Sequence, residues 1–240
     1  CRQVVVTASL DDLHVHSPIR VGWIALLRAR VLAAFRTSME VALRPLREEP
    51  EGEPIKIGIF SNNEGAFAPF EGQTWGGAML PLINRGATPA SGDPTDGVEN
   101  ATIAGHPIEI VYGGSDSTPD KAVEEARRLV EQEQVDILVG PLSGSEGIAV
   151  ANYSKEQPGV TFVNGISGAQ DTTLKVRSEN FFRFHNDGTQ WTAGLGDYAY
   201  NELGWRNVVT IGDDYDFPYS QIAGFVAEFC SIGGNVSARL

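Results

Sequence analysis

The sequence predicts an α/β fold in which a parallel sheet is flanked by helices. Two observations from residue 54 onward lead to this prediction. Short apolar runs typical of buried strands recur roughly every 20 to 30 residues after a longer first interval, and helical patterns separate them. Strict alternation of strand and helix is typical of right-handed βαβ crossovers, which build a parallel sheet with helices on both faces.

The predicted elements follow one another along this body. Strands are expected at residues 55–60, 107–114, 135–140, 160–165, 181–184, 207–212 and from 235 onward. Helices are expected at 72–85, from 119 to about 130, and at 145–157, 189–203 and 219–232. Thr118 and Pro119 supply an N-cap and a first-turn proline for the second helix. Residues 86–104, rich in Gly, Pro, Thr and Asp, are predicted to form a loop.

Residues 1–53 do not share this pattern. The sequence favours a helix over residues 23–43, followed by a charged, proline-containing linker at 44–54. This N-terminal extension is either a genuine helix that packs on the body or sequence upstream of the true start. Its seven arginines balance seven acidic residues, so the net charge of -13 lies entirely in the body. An acidic body excludes a nucleic-acid surface, which needs clustered Lys and Arg.

Core positions are predicted from the same patterns. Trp75, Phe181 and Phe184 lie within helical or strand patterns and are expected in the core. Cys230 lies in an apolar helical pattern and is expected to be a small buried hydrophobe. Phe67, Phe70, Tyr215 and Phe217 fall in loops instead, where aromatic side chains can line a small-molecule pocket.

The carboxyl ends of the predicted strands indicate where a ligand binds. Parallel α/β sheets bind ligands outside these ends, which selects the loops 61–72, 113–118, 140–147, 164–172, 184–190 and 212–219. The most informative loop contains Ser143, Gly144 and Ser145, which open a helix directly after a buried strand. A helix N-terminus with hydroxyl groups and free backbone N–H groups favours a carboxylate or another anion.

Catalytic interpretations fit less well. Ser167 follows a strand, with Asp171 and His185 downstream, but the glycine pattern of a nucleophile elbow is incomplete. The three aspartates of the segment GDDYDFPY lack the glycine and glutamate of a calcium loop. The dinucleotide-like segment GLGDYA falls inside a helical pattern. The sequence therefore predicts no catalytic residue, no metal and no cofactor.

The segments IKIGIF, GAFAPFEGQ, STPDKAVEEARRLVEQEQVDILVGPL and GDDYDFPY together resemble the type I periplasmic binding proteins, in the leucine/isoleucine/valine-binding branch of ABC transporter substrate-binding proteins. The resemblance extends from about residue 55 to the C-terminus. It implies two α/β lobes that close on a ligand between them. Residues 54–186 would form lobe 1 and 187–240 the start of a truncated lobe 2, with a hinge near 183–187.

The resemblance also implies roles for individual residues. Phe70 would cover the ligand, the turn of Ser143, Gly144 and Ser145 would hold an α-carboxylate, and the second turn, Ile166, Ser167 and Gly168, would present backbone and hydroxyl groups. Phe217, or Tyr215 if the loop shifts, would be the aromatic residue contributed by lobe 2, with Asp213 as a neighbour.

The function implied is that of a solute-binding component of an ABC importer, which captures a branched-chain or other amino acid or a similar small carboxylate. Its partners would be this ligand and an ABC permease, with no nucleic acid and no segment spanning the membrane. Its location would be the periplasm or the cell envelope. Because the sequence contains only the start of lobe 2, closure of this chain on a ligand is expected to be weak or absent. The alternative is a non-catalytic, ligand-sensing regulatory domain on the same scaffold.

Overall fold

A computed structural model describes residues 26–34, 39–46, 52–93 and 96–240 of the protein. Contacts divide the chain into two units, Cys1–Glu49 and Pro50–Leu240. In the first unit, β1 (Leu26–Ala34) pairs with β2 (Met39–Leu46) in antiparallel register. The helix expected over 23–43 is therefore wrong wherever these residues are described. Arg28 and Arg30 alternate with apolar residues, and this period of two is that of a strand.

The second unit contains the remaining strands and helices. Its strands are β3 (Ile55–Asn62), β4 (Thr88–Pro89), β5 (Val98–Glu99), β6 (Thr102–Ile103), β7 (His106–Ser115), β8 (Ile137–Val139), β9 (Thr161–Val163), β10 (Phe181–Phe182), β11 (Asn207–Thr210) and β12 (Asn235–Arg239). Its helices are α1 (Glu71–Ile83), α2 (Pro119–Arg127), α3 (Gly144–Ser154), α4 (Asp171–Leu174), α5 (Gly188–Trp191), α6 (Leu195–Asp197) and α7 (Asp216–Ser231). A 3₁₀ turn (Gly65–Phe70) precedes α1, and π-helical turns follow α2 and α6.

The main sheet has the strand order β10-β9-β8-β3-β7-β6. Its pairings are parallel from β10 to β7, which confirms the predicted parallel sheet, whereas β6 joins antiparallel at the edge. The chain moves from β3 to β7 on one side and then returns to β8 on the other. The strand order therefore reverses between β3 and β8, which makes this the topological switch point of the sheet.

Two smaller sheets complete the unit. β11 and β12 form a separate parallel pair. The stretch 86–104 is not wholly a loop, because β4 and β5 pair antiparallel within it and β6 follows them. Within the described residues, no helix combines the length and apolar character needed to cross a membrane.

Hydrophobic clusters cover both faces of the main sheet. Phe60 belongs to one cluster, with residues of α2 and α3, and Ile59 belongs to the other, with residues of α1. Successive strand residues point to opposite faces, so β3 contributes to both clusters. Trp75 is 4% exposed, as predicted, and Phe181 packs against the first cluster.

Three predictions in the C-terminal third are wrong. Phe184 is 83% exposed, because β10 already ends at Phe182. Cys230 is exposed, since the neighbouring Phe229 takes the buried position on α7. The helix expected over 189–203 is interrupted at Gly194, whose φ of +86° lies in the left-handed region and separates α5 from α6.

Candidate functional site

The candidate site lies at the switch point between β3 and β8, where the turn after β8 begins. Gly140 has a φ of +136°, and a Cβ atom on it would overlap the carbonyl oxygen of Phe60 in β3. Its N–H donates to the carbonyl oxygen of Val163 in β9 at 2.9 Å. This glycine therefore lets the chain leave the sheet against its central strand and reach the start of α3.

The first turn of the site comprises Ser143, Gly144 and Ser145. Ser143 is the N-cap residue of α3 and is 2% exposed, and Gly144 is also buried. Ser145 is half-buried, and its Oγ accepts a hydrogen bond from the backbone N–H of Asp216 at 3.3 Å. The first turn therefore already contacts the start of α7.

A buried carboxyl group lies beneath the first turn. Glu146 is fully buried, and its side chain accepts hydrogen bonds from Asn62 Nδ2 at 3.0 and 3.1 Å and from the N–H of Ser143 at 3.2 Å. The Ser115 hydroxyl donates to the same carboxyl group. Burial raises the pKa of Glu146, while the bonds from Ser115, Asn62 and Ser143 act in the opposite direction. Glu146 thus ties α3 to the ends of β3 and β7.

This buried cluster was not predicted from the sequence. Ser143 and Glu146 have the S-x-x-E spacing of a capping box, in which the glutamate accepts the N-cap N–H. That spacing was sufficient to find Glu146. The partners Asn62 and Ser115 come from distant strands and have no such local pattern.

The second turn comprises Ile166, Ser167 and Gly168. Ile166 is 54% exposed, whereas Ser167 and Gly168 are buried. Asn164 Nδ2 donates to the carbonyl oxygen of Ser167 at 2.7 Å. A Cβ atom on Gly147 of α3 would overlap the Ser167 hydroxyl, which has no hydrogen-bond partner among the described residues. The second turn therefore packs directly against α3.

Phe217 in the first turn of α7 brings the two glycine turns together. A Cβ atom on Gly144 would lie 2.7 Å from the backbone nitrogen of Phe217 and 3.2 Å from its Cβ atom. A Cβ atom on Gly168 would lie 2.7 and 2.8 Å from two carbons of the Phe217 ring. Any side chain at either glycine would therefore displace Phe217.

Five aromatic rings form a row across this site. Phe67 lies 6.4 Å from Phe70 and 5.5 Å from Tyr215, between ring centroids. Tyr215 lies 6.4 Å from Phe217, which in turn meets Trp191 edge-on at 5.3 Å. Burial raises the pKa of Tyr215, and the charge of Asp213 adds to this shift. The row gives the site an apolar wall that meets the two glycine turns at Phe217.

The predicted site residues thus divide into three groups. Those brought together are Gly144, Ser145, Gly168, Tyr215 and Phe217, with Phe70 joined through Phe67. Within their turns, Ser143 and Ser167 are buried, whereas Ile166 and Asp213 are exposed. Trp191 was not predicted as a site residue. It lies in α5, a short helix that the sequence pattern predicts as one continuous helix with α6.

The segment predicted as a hinge is tied to the second turn. Arg183 forms an ion pair with Asp187 at 3.2 Å, and their side chains are only 10% and 7% exposed. Arg183 Nη1 also donates to the carbonyl oxygen of Ala169 at 2.9 Å. A movement of this segment would therefore displace Ala169 and, with it, the preceding Gly168.

The three residues of the catalytic interpretation are not hydrogen-bonded to one another in the described part of the chain. His185 Nδ1 lies 2.8 Å from the carbonyl oxygen of Asn186, and burial lowers the pKa of His185. Asp171 forms an ion pair with Lys175 at 2.8 Å, and Ser167 lies against Gly147. They do not form the hydrogen-bonded chain that a triad requires.

Comparisons with known proteins agree with this architecture. An amino acid binding protein of Pseudomonas aeruginosa is 29% identical over 161 residues, which are 66% of this chain and 39% of that protein. A solved leucine binding protein from Thermotoga maritima MSB8 is 21% identical, with a TM-score of 0.65 over 78% of this chain and 49% of its own. A solute binding protein of an ABC transporter from R. palustris, solved in complex with benzoate, is 23% identical, with a TM-score of 0.65 over 78% and 48%.

The chain therefore spans about half the length of these solved relatives. The family model described as periplasmic binding protein matches residues 54–239, the part that contains the parallel sheet and both glycine turns. Because this match takes in most of the sequence, the chain belongs to the type I periplasmic binding proteins.

Proposed function

We propose that the chain is part of the solute-binding component of an ABC importer and that its site takes a small molecule with a carboxylate group, such as an amino acid. The observation that carries this proposal is the meeting of two glycine turns and an aromatic row at the switch point of a parallel sheet. Small-molecule sites combine apolar walls with a few placed polar groups in this way.

The first turn supplies the polar part of the site. Gly144 and Ser145 occupy the first turn of α3, an eleven-residue helix whose dipole favours negative charge at this end. Backbone N–H groups and the Ser145 hydroxyl would donate to the carboxylate, and hydrogen bonds to a charged group are among the stronger ones. Tyr215, at the middle of the aromatic row, would contact the apolar remainder of the ligand.

The remaining parts of the proposal concern organisation. Residues 54–186 would form the first lobe and 187–240 the start of a second lobe, with β11 and β12 as the beginning of its sheet. Closure around 183–187 would bury the ligand, and an ABC permease in the membrane would receive it. Family membership supports a binding role without catalysis and a location in the periplasm or at the cell envelope.

Titrations followed by NMR chemical shifts test this function. We expect L-leucine or benzoate to bind. The corresponding amides, L-leucinamide and benzamide, lack the carboxylate and should not bind at the same concentrations. Ser145→Ala should weaken binding of the acid about 10-fold or more, because a hydrogen bond to a charged group contributes about 1.5–3 kcal/mol.

Ser231→Ala is the matched control, since Ser231 lies at the far end of α7 and its hydroxyl donates to the carbonyl oxygen of Glu228 in the same helix. The Ser231→Ala variant should bind the acid with the same affinity as the unmodified chain. Equal binding of acids and amides would contradict a carboxylate site. Unchanged affinity in Ser145→Ala would contradict the role of the first turn.

A further inference from the structure

We propose that the first turn of α7 is a gate that closes over the site and opens to admit a ligand. In the closed arrangement Phe217 fills the space between the two glycine turns, and a ligand must displace it to reach Gly144 and Ser145. The effect of the gate on ligand affinity rests on the proposed function, whereas the closed arrangement can be measured without any ligand.

The first observation is the cover over the first turn. The backbone nitrogen of Phe217 would lie 2.7 Å from a Cβ atom on Gly144, so the two backbones are in direct contact. The N–H of Asp216 donates to Ser145 Oγ at 3.3 Å. The first turn is therefore already covered by the backbone of α7, at Gly144 and at the Ser145 hydroxyl oxygen.

The second observation is the seat of the Phe217 ring. Its carbons lie 2.7 and 2.8 Å from the position of a Cβ atom on Gly168, and Trp191 meets the ring edge-on at an interplanar angle of 88°. The ring is thus held between the second turn and α5. This is the space that a ligand bridging the two turns would need.

The third observation is that few polar contacts hold the gate against the turns. Besides the bond to Ser145, the N–H of Gln170 donates to Ser220 Oγ at 3.1 Å. Tyr215, directly before α7, has the extended backbone of an N-cap residue, with φ of -157° and ψ of 170°. A rotation at Tyr215 that lifts Phe217 would break these two bonds. It would also strain the bonds that the Thr189 and Thr192 hydroxyls donate to the carbonyl oxygens of Ser220 and Gln221, at 2.9 and 3.0 Å.

Closure of this kind has a thermodynamic consequence. When the binding-competent state is only a fraction of the population, the apparent dissociation constant rises in inverse proportion to that fraction. Removal of the Phe217 ring should therefore tighten ligand binding. Removal of a ring that only contacted the ligand would weaken binding instead.

A thiol placed under the gate tests closure directly. In a chain with Cys1→Ser and Cys230→Ser, the change Ser145→Cys gives a single thiol, and its reaction with 5,5′-dithiobis(2-nitrobenzoate) is timed. We expect a rate at least about 10-fold lower than that of the exposed Cys230 in a Cys1→Ser chain. Adding Phe217→Ala should restore most of this rate, and Phe217→Leu, a milder change, should restore part of it.

Tyr219→Ala is the matched control, because Tyr219 lies on the same helix but is 50% exposed. It should leave the rate at position 145 unchanged. A thiol at 145 that reacts equally fast with and without the Phe217 ring would overturn the gate. Circular dichroism of each variant shows that the fold is retained, and Phe217→Leu decides the question if Phe217→Ala does not fold.

Titration with benzoate and with L-leucine provides the second measurement. We expect Phe217→Ala to bind at least one of them more tightly than the unmodified chain. Weaker binding by Phe217→Ala would overturn the gate, because the ring would then belong to the bound state. If neither probe binds either protein, the carboxylate function fails for these probes, and the thiol rates alone decide whether the gate exists.

Discussion

Gly140→Ala is expected to lower the free energy of unfolding by at least about 3 kcal/mol, since backbone strain and overpacking each cost about 1–3 kcal/mol. Gly140 has a φ of +136°, a region that L-residues rarely adopt, and the new methyl group would overlap the Phe60 carbonyl oxygen. Phe60 is 1% exposed and lies in β3, which is paired on both sides, so the backbone has little freedom to move away.

Urea denaturation followed by circular dichroism measures this loss. Gly159→Ala is the matched control, because Gly159 is exposed and a Cβ atom there would have no neighbour within 4 Å. It should change the free energy of unfolding by no more than about 0.5 kcal/mol. A loss below about 1 kcal/mol in Gly140→Ala would mean that β3 yields to the methyl group.

Glu146→Leu is expected to lower the free energy of unfolding by about 3 kcal/mol or more, because each buried donor left without a partner costs about 1–3 kcal/mol. The change removes the acceptor from Asn62, Ser115 and the N–H of Ser143 at once. Glu146→Gln keeps the shape and one acceptor oxygen, so its loss should be clearly smaller. Glu124→Leu, on the exposed face of α2, is the control and should change stability by no more than about 0.5 kcal/mol.

The pH dependence of the Glu146→Gln variant shows whether the buried carboxyl is neutral. Burial, with a further contribution from Asp116, raises the pKa of Glu146 above its ordinary value, so the folded state binds more protons than the unfolded state. Stability therefore falls as pH rises from about 4.3, the ordinary pKa of glutamate, through the raised value. The stability of the unmodified chain relative to Glu146→Gln should decline over this window. A relative stability that grows with pH would contradict a raised pKa.

Local patterns in the sequence predicted most of the body of this fold. The apolar run of β3, the capping Thr118 before α2 and the glycine after β8 each lie within a few residues of the structure that they specify. The hairpin of β1 and β2 was missed because arginines within an apolar run fit a helix and a strand almost equally well. Phe184 was misplaced because a strand of two residues leaves no pattern from which to read its end.

At the candidate site, the contacts that could not be predicted from the sequence join residues that are far apart in the chain. Asn62 and Glu146 are 84 residues apart, and Ser145 and Asp216 are 71 residues apart. Neither pair has a spacing that any helix or strand would produce. The sequence therefore predicted which loops meet, from the rule for parallel sheets, but not that Phe217 would rest on both glycine turns.

Because β3 lies between β7 and β8, its two edges are paired at different times during synthesis of the chain. β3 is the first strand of the main sheet to leave the ribosome, yet it lies in the interior of that sheet. β7 follows and covers one edge, while the other edge keeps unpaired N–H and carbonyl groups until β8 has been translated. The first turn follows β8 directly, so the nascent chain covers the second edge of β3 and forms the N-terminus of α3 in a single step.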